Sequence, residues 1–406
     1  MSRWLSIVGI GEDGLEGLGE EAIALIAGAD VLIGGERHLA MLPEDGRERM
    51  AWPSPLSALV EEIQRRRGQA LCVLATGDPF CFGIGSTLAR RIPMEEMQVI
   101  PAPSAFSLAC ARLGWSLPDV AQLTLHGRPT SLIIPAIQPD ARLLVLSDSG
   151  ATPAEVARLL CEKGFGGSEM HVLEHMGGPK ERTLHLRADQ AEFPAIADFN
   201  TIAVACRAGA EAEILPTVPG LPDEAFRHDG QMTKREVRAV TLSALMPGPG
   251  QLLWDVGSGC GSVAVEWMRC HPTCQAAAIE RQAVRCEMIS SNATSLGVPY
   301  LQIVSGEAPD CLAGLPAPHA VFIGGGINTT GVFKACWQAL KPGGRLVANA
   351  VTLEGEARLT ALQAEHGGEL KRLSVSRAEP VGPFRGWRSA MPVTQWALRK
   401  PEGAGI

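Results

Sequence analysis

Residues 252–266 read LLWDVGSGCGSVAVE. An apolar run closes on Asp255; Gly257, Gly259 and Gly261 then alternate with Ser258 and Cys260, and a helix-compatible stretch carries Glu266. The pattern is strand, tight turn and helix, with backbone N–H groups free to face a ligand. A dinucleotide fingerprint would put its third glycine one position later, where Ser262 stands, and would not need an acid at the strand end. The spacing favours S-adenosylmethionine over a nicotinamide dinucleotide.

The segments that follow support this choice. CQAAAIE is a second short apolar run closed by an acid, Glu280, about twenty residues after the glycines, where a carboxylate can accept both ribose hydroxyls. LQIVSGEAPD gives a third strand ending in Gly306-Glu307-Ala308, small enough for an adenine to lie against the backbone. HAVFIGGG and LKPGGRLVANAVTLE add a fourth strand and a fifth. Ligands of such open sheets sit at the carboxyl ends of the strands, where all these turns lie.

At 406 residues the chain is too long for one ordinary domain. Its 46% hydrophobic and 20% charged residues allow a large core without disorder. A net charge of -8 and a pI near 5.7 argue against a nucleic-acid surface. No apolar stretch is long enough to span a bilayer, and the first residues meet a glycine turn too early for a signal peptide. The 11 cysteines are odd in number and scattered through apolar segments, as in a reducing compartment. The expected location is cytoplasmic, with no membrane partner and no metal; Cys270 and Cys274 lack a second pair to complete a zinc site.

The N-terminal half alternates strand and helix from its first residues. WLSIVGIGEDG runs into Gly9, Gly11 and Gly14; a helix near 19–29 and the strand VLIGG follow. LCVLATGDPFCFGIG ends a strand at Thr76 and turns through Gly77, Asp78 and Pro79. MQVIPAPSAFSLACARLG repeats the theme, with a small-residue helix start at Ser104 and Ala105. LTLHGR, RLLVLSDSG and MHVLEHMGG are further strands leading into polar turns. Between 208 and 222, AGAEAEILPTVPGLP has the small, acidic and proline residues of a linker. The boundary is drawn near Ala210, giving domains 1–210 and 211–406. Past it, Thr233 and Glu236 are spaced as a capping box.

GIGEDG, TGDPFCFGIG, IPAPSAFSLACARLG and LHGR together resemble the tetrapyrrole methylases of cobalamin biosynthesis, above all the branch that methylates carbon 5 of a precorrin. PGLPDEAFRHDGQMTKREVRAV with DVGSGCGSVAVE, SGEAP, FIGGG and VANAVTLE resembles the precorrin methyltransferases that methylate carbon 15 and decarboxylate an acetate arm. The whole is similar to fusions of the two. The resemblance implies an α/β chain: a bilobal tetrapyrrole-methylase domain with cofactor in its cleft, then a Rossmann-like class I methyltransferase domain. It implies one S-adenosylmethionine per domain, a precorrin-6B-type substrate, and a homo-oligomer, dimer or tetramer. It places Gly11, Gly77, Asp78, Cys81, Ser104 and Ala105 at the first cofactor. Thr233, the loop Gly257, Ser258, Gly259, Cys260 and Gly261, with Glu280 and Ala308, fall at the second. Where relatives commonly carry proline in the first loop, this chain has Glu12.

His126 and Arg128 in LHGR are candidates for the substrate's carboxylates, which suit the forked guanidinium. Lys180, Arg182, Lys234 and Arg235 are secondary candidates of the same kind. His171-Val-Leu-Glu174-His175 matches an inverted zinc-protease pattern, but in a strand the two histidines stand about 13 Å apart at roughly 3.3 Å per residue, too far for one metal. No catalytic acid–base group stands out. Two alternatives are set against this reading. A methyltransferase for another acceptor such as RNA would need a basic, aromatic face that the chain lacks; a tetrapyrrole carrier would not need two cofactor loops.

Overall fold

The computed structural model describes residues 3–53 and 57–403. By their contacts the residues form two compact units. The first comprises Met1–Thr130 and Pro139–Glu213, the second Ser131–Gln138 and Ile214–Ile406.

The first unit holds two sheets. β1 (Leu5–Ile10), β2 (Val31–Gly34), β3 (Glu48–Ala51), β4 (Leu71–Thr76) and β5 (Met97–Ile100) form a parallel sheet in the order β3-β2-β4-β1-β5. Their unbroken apolar runs are what a sheet buried on both faces requires. Successive side chains of β1 alternate accordingly: Leu5 and Ile7 enter one core, Val8 and Ile10 the other. The second sheet contains β6 (Val120–Thr124), β7 (Arg142–Leu146), β8 (Glu169–Glu174), β9 (Arg182–Arg187) and β10 (Asn200–Ala205), in the order β6-β7-β10-β8-β9. Only its β6–β7 pair is parallel. The helix Ala105–Leu113 leads between the sheets, with Phe106 and Ala109 packed on Leu144 and Leu173. This is the two-lobed α/β plan the sequence resemblance implies.

In the second unit, β11 (Leu252–Val256), β12 (Gln275–Glu280), β13 (Gln302–Ser305), β14 (Ala320–Ile323) and β15 (Arg345–Ala350) are parallel. β16 (Glu369–Leu373) follows, then a hairpin of β17 (Ser376–Val381) and β18 (Phe384–Ser389), then β19 (Val393–Arg399). The sheet order is β13-β12-β11-β14-β15-β19-β16, with β19 antiparallel to both its neighbours. This is a doubly wound sheet: Leu253 faces one core with Trp267, and Trp254 the other with Trp396.

One local expectation fails. The helix Arg235–Leu245 is N-capped by Lys234, not Thr233, and no side chain caps it. The Thr233 carbonyl instead accepts a 2.6 Å hydrogen bond from the Arg238 guanidinium. Arg238 is fully buried and its Nε lies 2.6 Å from Glu266 Oε1. Glu266 also accepts from the backbone N–H groups of Gly220 and Leu221. The acid of the motif helix is thus an anchor for the incoming chain, satisfied on both oxygens as a buried charge must be. Among the described residues no helix is long and apolar enough to cross a membrane.

Candidate active site

The second unit contains a cavity of about 930 Å³ over the carboxyl ends of its parallel strands. Gly257, Gly259 and Gly261 have φ of +70°, +61° and +81°, in the left-handed region that only glycine adopts without strain. At Gly257 a Cβ would also lie 2.8 Å from the Gly325 backbone, so glycine there serves both torsion and close approach. The turn is tied down by two N–H donors, Gly257 and Ser258, on the Ile279 carbonyl of β12.

Two carboxylates organise the turn from beneath. Asp255 Oδ2 accepts from Ser258 Oγ at 2.8 Å and from the Ala264 N–H at 3.1 Å. Burial, with Glu280 nearby, pushes the Asp255 carboxyl up to about 7. Glu280 Oε2 accepts from the Gly259 N–H, and Oε1 from the Gln282 N–H, both at 3.0 Å. A carboxylate oxygen has room for a second donor, so Glu280 can hold a diol while keeping the loop.

Thr233, Gly257, Ser258, Gly259, Glu280 and Ala308 all line this cavity. Cys260 and Gly261 do not. Cys260 is buried in the core, and its carbonyl accepts from Asn292 Nδ2. Gly261 caps the helix Ser262–Arg269, and a Cβ there would press on Ile289. Their role is to shape the loop from behind. The far end of the cavity brings in groups that the sequence reading did not single out: Asn349, Val351, Leu373, Val375, Arg377, Met391. These lie on β15 and on segments up to 42 positions further along, joined only by the antiparallel insertion of β19. Lys234 also lines the cavity, 3.9 Å from Asp223.

In the first unit, the turns after β1, β4 and β5 meet. A Cβ on Gly9 would collide with the Gly77 carbonyl and the Ala102 N–H, and one on Gly77 would lie 2.8 Å from the Pro103 carbonyl. Gly77 has φ of +57°. Asp78 Oδ1 accepts from the Phe80 N–H at 2.8 Å, which closes the turn. Ser104 Oγ caps its helix by accepting from the Ser107 N–H at 3.1 Å. Cys81 is hydrogen-bonded to Ser104; burial and Asp78 raise its thiol. Gly77, Asp78, Cys81, Ser104 and Ala105 are therefore one neighbourhood. Gly11 stands further along the first turn, where its Cβ position is filled by the Asp13 carboxylate.

His126 and Arg128 sit in the turn after β6. His126 Nδ1 is 3.4 Å from Asp148, and the Arg128 guanidinium lies 6.0 Å from the Phe82 ring centroid. Phe82 has φ of +55° and meets Phe106 edge-on at 5.9 Å, so Arg128 is directed at the segment that follows Asp78. Arg182, by contrast, is engaged by Glu174 through two bonds of 2.6 and 2.7 Å. Glu12 is half-buried between the two lobes of this unit, paired with Arg37 and 2.8 Å from His175 Nδ1. Arg37 also stacks 3.8 Å over Phe199, and desolvation brings neighbouring His38 down to about 4. His171 and His175 have separate partners: His171 stacks on His185 at 4.6 Å. Among the described residues no group of three or more His, Cys, Asp or Glu could hold a metal.

Comparison with known proteins places both halves. Residues 5–192 match the model of the tetrapyrrole (corrin/porphyrin) methylases, and residues 224–400 that of the precorrin methyltransferase domain. A precorrin-6Y C(5,15)-methyltransferase [decarboxylating] of Sinorhizobium sp is 51% identical over 98% of this chain and 97% of its own. One from Mycobacterium tuberculosis (strain CDC 1551 / Oshkosh) is 42% identical over 97% and 99%. A cobalt-precorrin-7 C(5)-methyltransferase of Salmonella typhimurium is 34% identical over 44% of this chain and 88% of its own. Identity at this level along nearly the full length, with both family models on one polypeptide and a glycine-turn site in each half, makes this chain a member of the decarboxylating precorrin-6Y C5,15-methyltransferase family.

Proposed function

We propose that each unit binds its own S-adenosylmethionine and methylates a different carbon of one precorrin-6B-type macrocycle. The N-terminal unit acts at carbon 5; the C-terminal unit acts at carbon 15 and removes the carboxyl group of the ring C acetate. The observation that carries this is the presence of two separately built strand-end sites, one per unit, each closed by glycines that admit a ligand to the backbone. The boundary is kept near Ala210, and the working form is a cytoplasmic homo-oligomer, dimer or tetramer.

S-adenosylmethionine supplies an electrophilic methyl group on a sulfonium. In the C-terminal unit Glu280 takes the ribose hydroxyls, Gly257 and Gly259 admit the chain of the amino acid, and Ala308 leaves room for the adenine. In the N-terminal unit Gly77, Asp78, Cys81, Ser104 and Ala105, with Gly11, do the equivalent work, and His126 and Arg128 receive acceptor carboxylates. The acceptor is a carbon made electron-rich by pyrrole conjugation, so neither site has to supply a strong base. Alignment in a closed site is then the main contribution, with effective molarities of about 10⁵ M or more.

Calorimetric titration should find two cofactor sites per chain; one site favours a different acceptor for one half, none a carrier. Mass spectrometry of a precorrin-6B incubation reads methyl gain and carbon dioxide loss together. Gly259→Arg should leave a product with at most one new methyl and its carboxyl retained. Asp78→Arg should spare the carbon 15 methyl and the decarboxylation. Equal loss of decarboxylation in both folded variants, even on a pre-methylated substrate, would sink the division of labour.

A further inference from the structure

Beneath the far end of the C-terminal cavity lies a polar triad that none of the roles above uses. Asn349 Nδ2 donates to Thr241 Oγ1 at 2.9 Å; Gln395 Nε2 donates to Asn349 Oδ1 at 3.0 Å and to Thr241 Oγ1 at 3.1 Å. Thr241 Oγ1 passes its own proton to the Val237 carbonyl at 2.8 Å. Thr241 and Gln395 are essentially inaccessible, and Gln395 Oε1 has no partner among the described residues. A core that keeps such a group carries a cost that an apolar trio would avoid. What it obtains is a fixed orientation for Asn349, the one member that lines the cavity. With one amide hydrogen and one lone pair committed inward, a second N–H and a second lone pair remain for a ligand.

The sheet order locates that ligand. Along β12-β11-β14-β15, Glu280 and Asn349 are three strand spacings apart, about 14 Å. A group that reads the ribose cannot also be read by Asn349. Between them the turn of β11 abuts Gly325, leaving the β15 side of the cavity for the methyl acceptor. On that side the lining is apolar, Val351, Leu373, Val375, Met391 and Val393, with Arg377 at its edge, 2.6 Å from Glu236.

Resting on the function proposed above, we infer that Asn349 donates its free N–H to the acceptor's acetate carboxylate and holds it against this apolar wall, while Thr241 and Gln395 are positioning residues that fix the amide. A carboxylate kept from water by apolar side chains is poised to leave. In the loss, the bond from the acetate methylene to its carboxyl carbon breaks and carbon dioxide departs. The electron pair enters the conjugated iminium of the macrocycle, and water returns a proton to the methylene carbon to leave a methyl group.

The test uses the full chain, with precorrin-6B and with a macrocycle already decarboxylated at ring C. In Asn349→Ala, carbon dioxide loss should fall about 10- to 100-fold, the worth of one hydrogen bond to a charged group. Asn349→Asp, near in shape but repelling a carboxylate, should fall further. Gln395→Leu should fall in the same direction by less. Methyl transfer to the decarboxylated macrocycle and affinity for S-adenosylmethionine should stay within about threefold in all three. Weakened cofactor binding would assign Asn349 to the cofactor and overturn the inference. So would equal losses on both macrocycles that track a lowered melting temperature, the mark of packing alone. A wild-type chain that transfers no methyl to either macrocycle overturns the functional reading itself, a result distinct from any variant's behaviour.

Discussion

The two glycine-rich turns of this chain solve the same problem in different ways. In Gly257-Ser258-Gly259-Cys260-Gly261 all three glycines take positive φ, and the loop hangs on carboxylates from the strand ends of β11 and β12. In the N-terminal unit Gly9 has no special torsion; it is glycine because two other backbones pass through the space a side chain would fill. Conformation is common to all three glycines of the first turn, with close approach added at Gly257, whereas at Gly9 close approach alone decides and Gly77, at φ +57°, combines the two. Only the first kind leaves a local signature, because positive φ at alternate positions forces a spacing, whereas backbone crowding depends on partners some seventy and ninety residues away.

The contrast can be broken most directly at Gly9. Gly9→Ala should destabilise the N-terminal unit by about 3 kcal/mol or more, since rigid backbone cannot retreat from a Cβ. Gly259→Ala meets nothing nearer than 3.4 Å and should cost only about 1–2 kcal/mol for its torsion. Denaturant unfolding compares them, and equal costs would erase the distinction.

Glu280→Ala sharpens the comparison by removing the carboxylate from one site only. It should weaken cofactor binding in the C-terminal unit by about 1.5–3 kcal/mol, the scale of hydrogen bonds to a charged acceptor. Calorimetry that still finds two unchanged sites would take Glu280 off the cofactor.

A pH slope reports on the acid beneath the same loop. Asp255 has its folded pKa raised to about 7, against about 3.9 for a free aspartate, so between these values the folded state holds a proton the unfolded state has lost. Stability contributed by this group is full below about pH 4 and is lost as the pH rises towards 7. Asp255→Asn, which keeps an acceptor for Ser258 and Ala264, should match wild type near pH 4 and gain on it up to pH 7–8. Melting curves across that range test this; a difference that does not vary with pH would contradict the shift.

The sequence carried the parallel strands and their turns, because buried strands read as apolar runs and their ends must turn on small residues. It carried Glu280 through its distance from the glycines. Thr233 has the spacing of a cap, since a threonine three residues before a glutamate satisfies the pattern, yet Lys234 takes the cap position and Arg238 claims the Thr233 carbonyl. Glu12 was visible as an odd residue in the first loop, but its engagement with His175 spans 163 positions and has no local trace. The Asn349 triad was hidden for the same reason: Thr241 and Gln395 are 154 positions apart, and each reads on its own as an ordinary polar residue in a helix or strand.

The position of β19 has a bearing on how the molecule is made. Emerging after β16, it must enter between β15 and β16, so the edge of β15 stays open until residues 393–399 have been synthesised. β11, β12 and β13, which end at or just before Gly257, Glu280 and Ala308, pair among themselves and need nothing beyond residue 305 to do so. Under the function proposed above, and with the ribosome adding about 5–20 residues each second, the grip on the methyl donor would assemble seconds ahead of the floor beneath the acceptor. On that proposal, a nascent chain halted just short of Val393 would hold the reagent and have nowhere to seat the molecule that receives it.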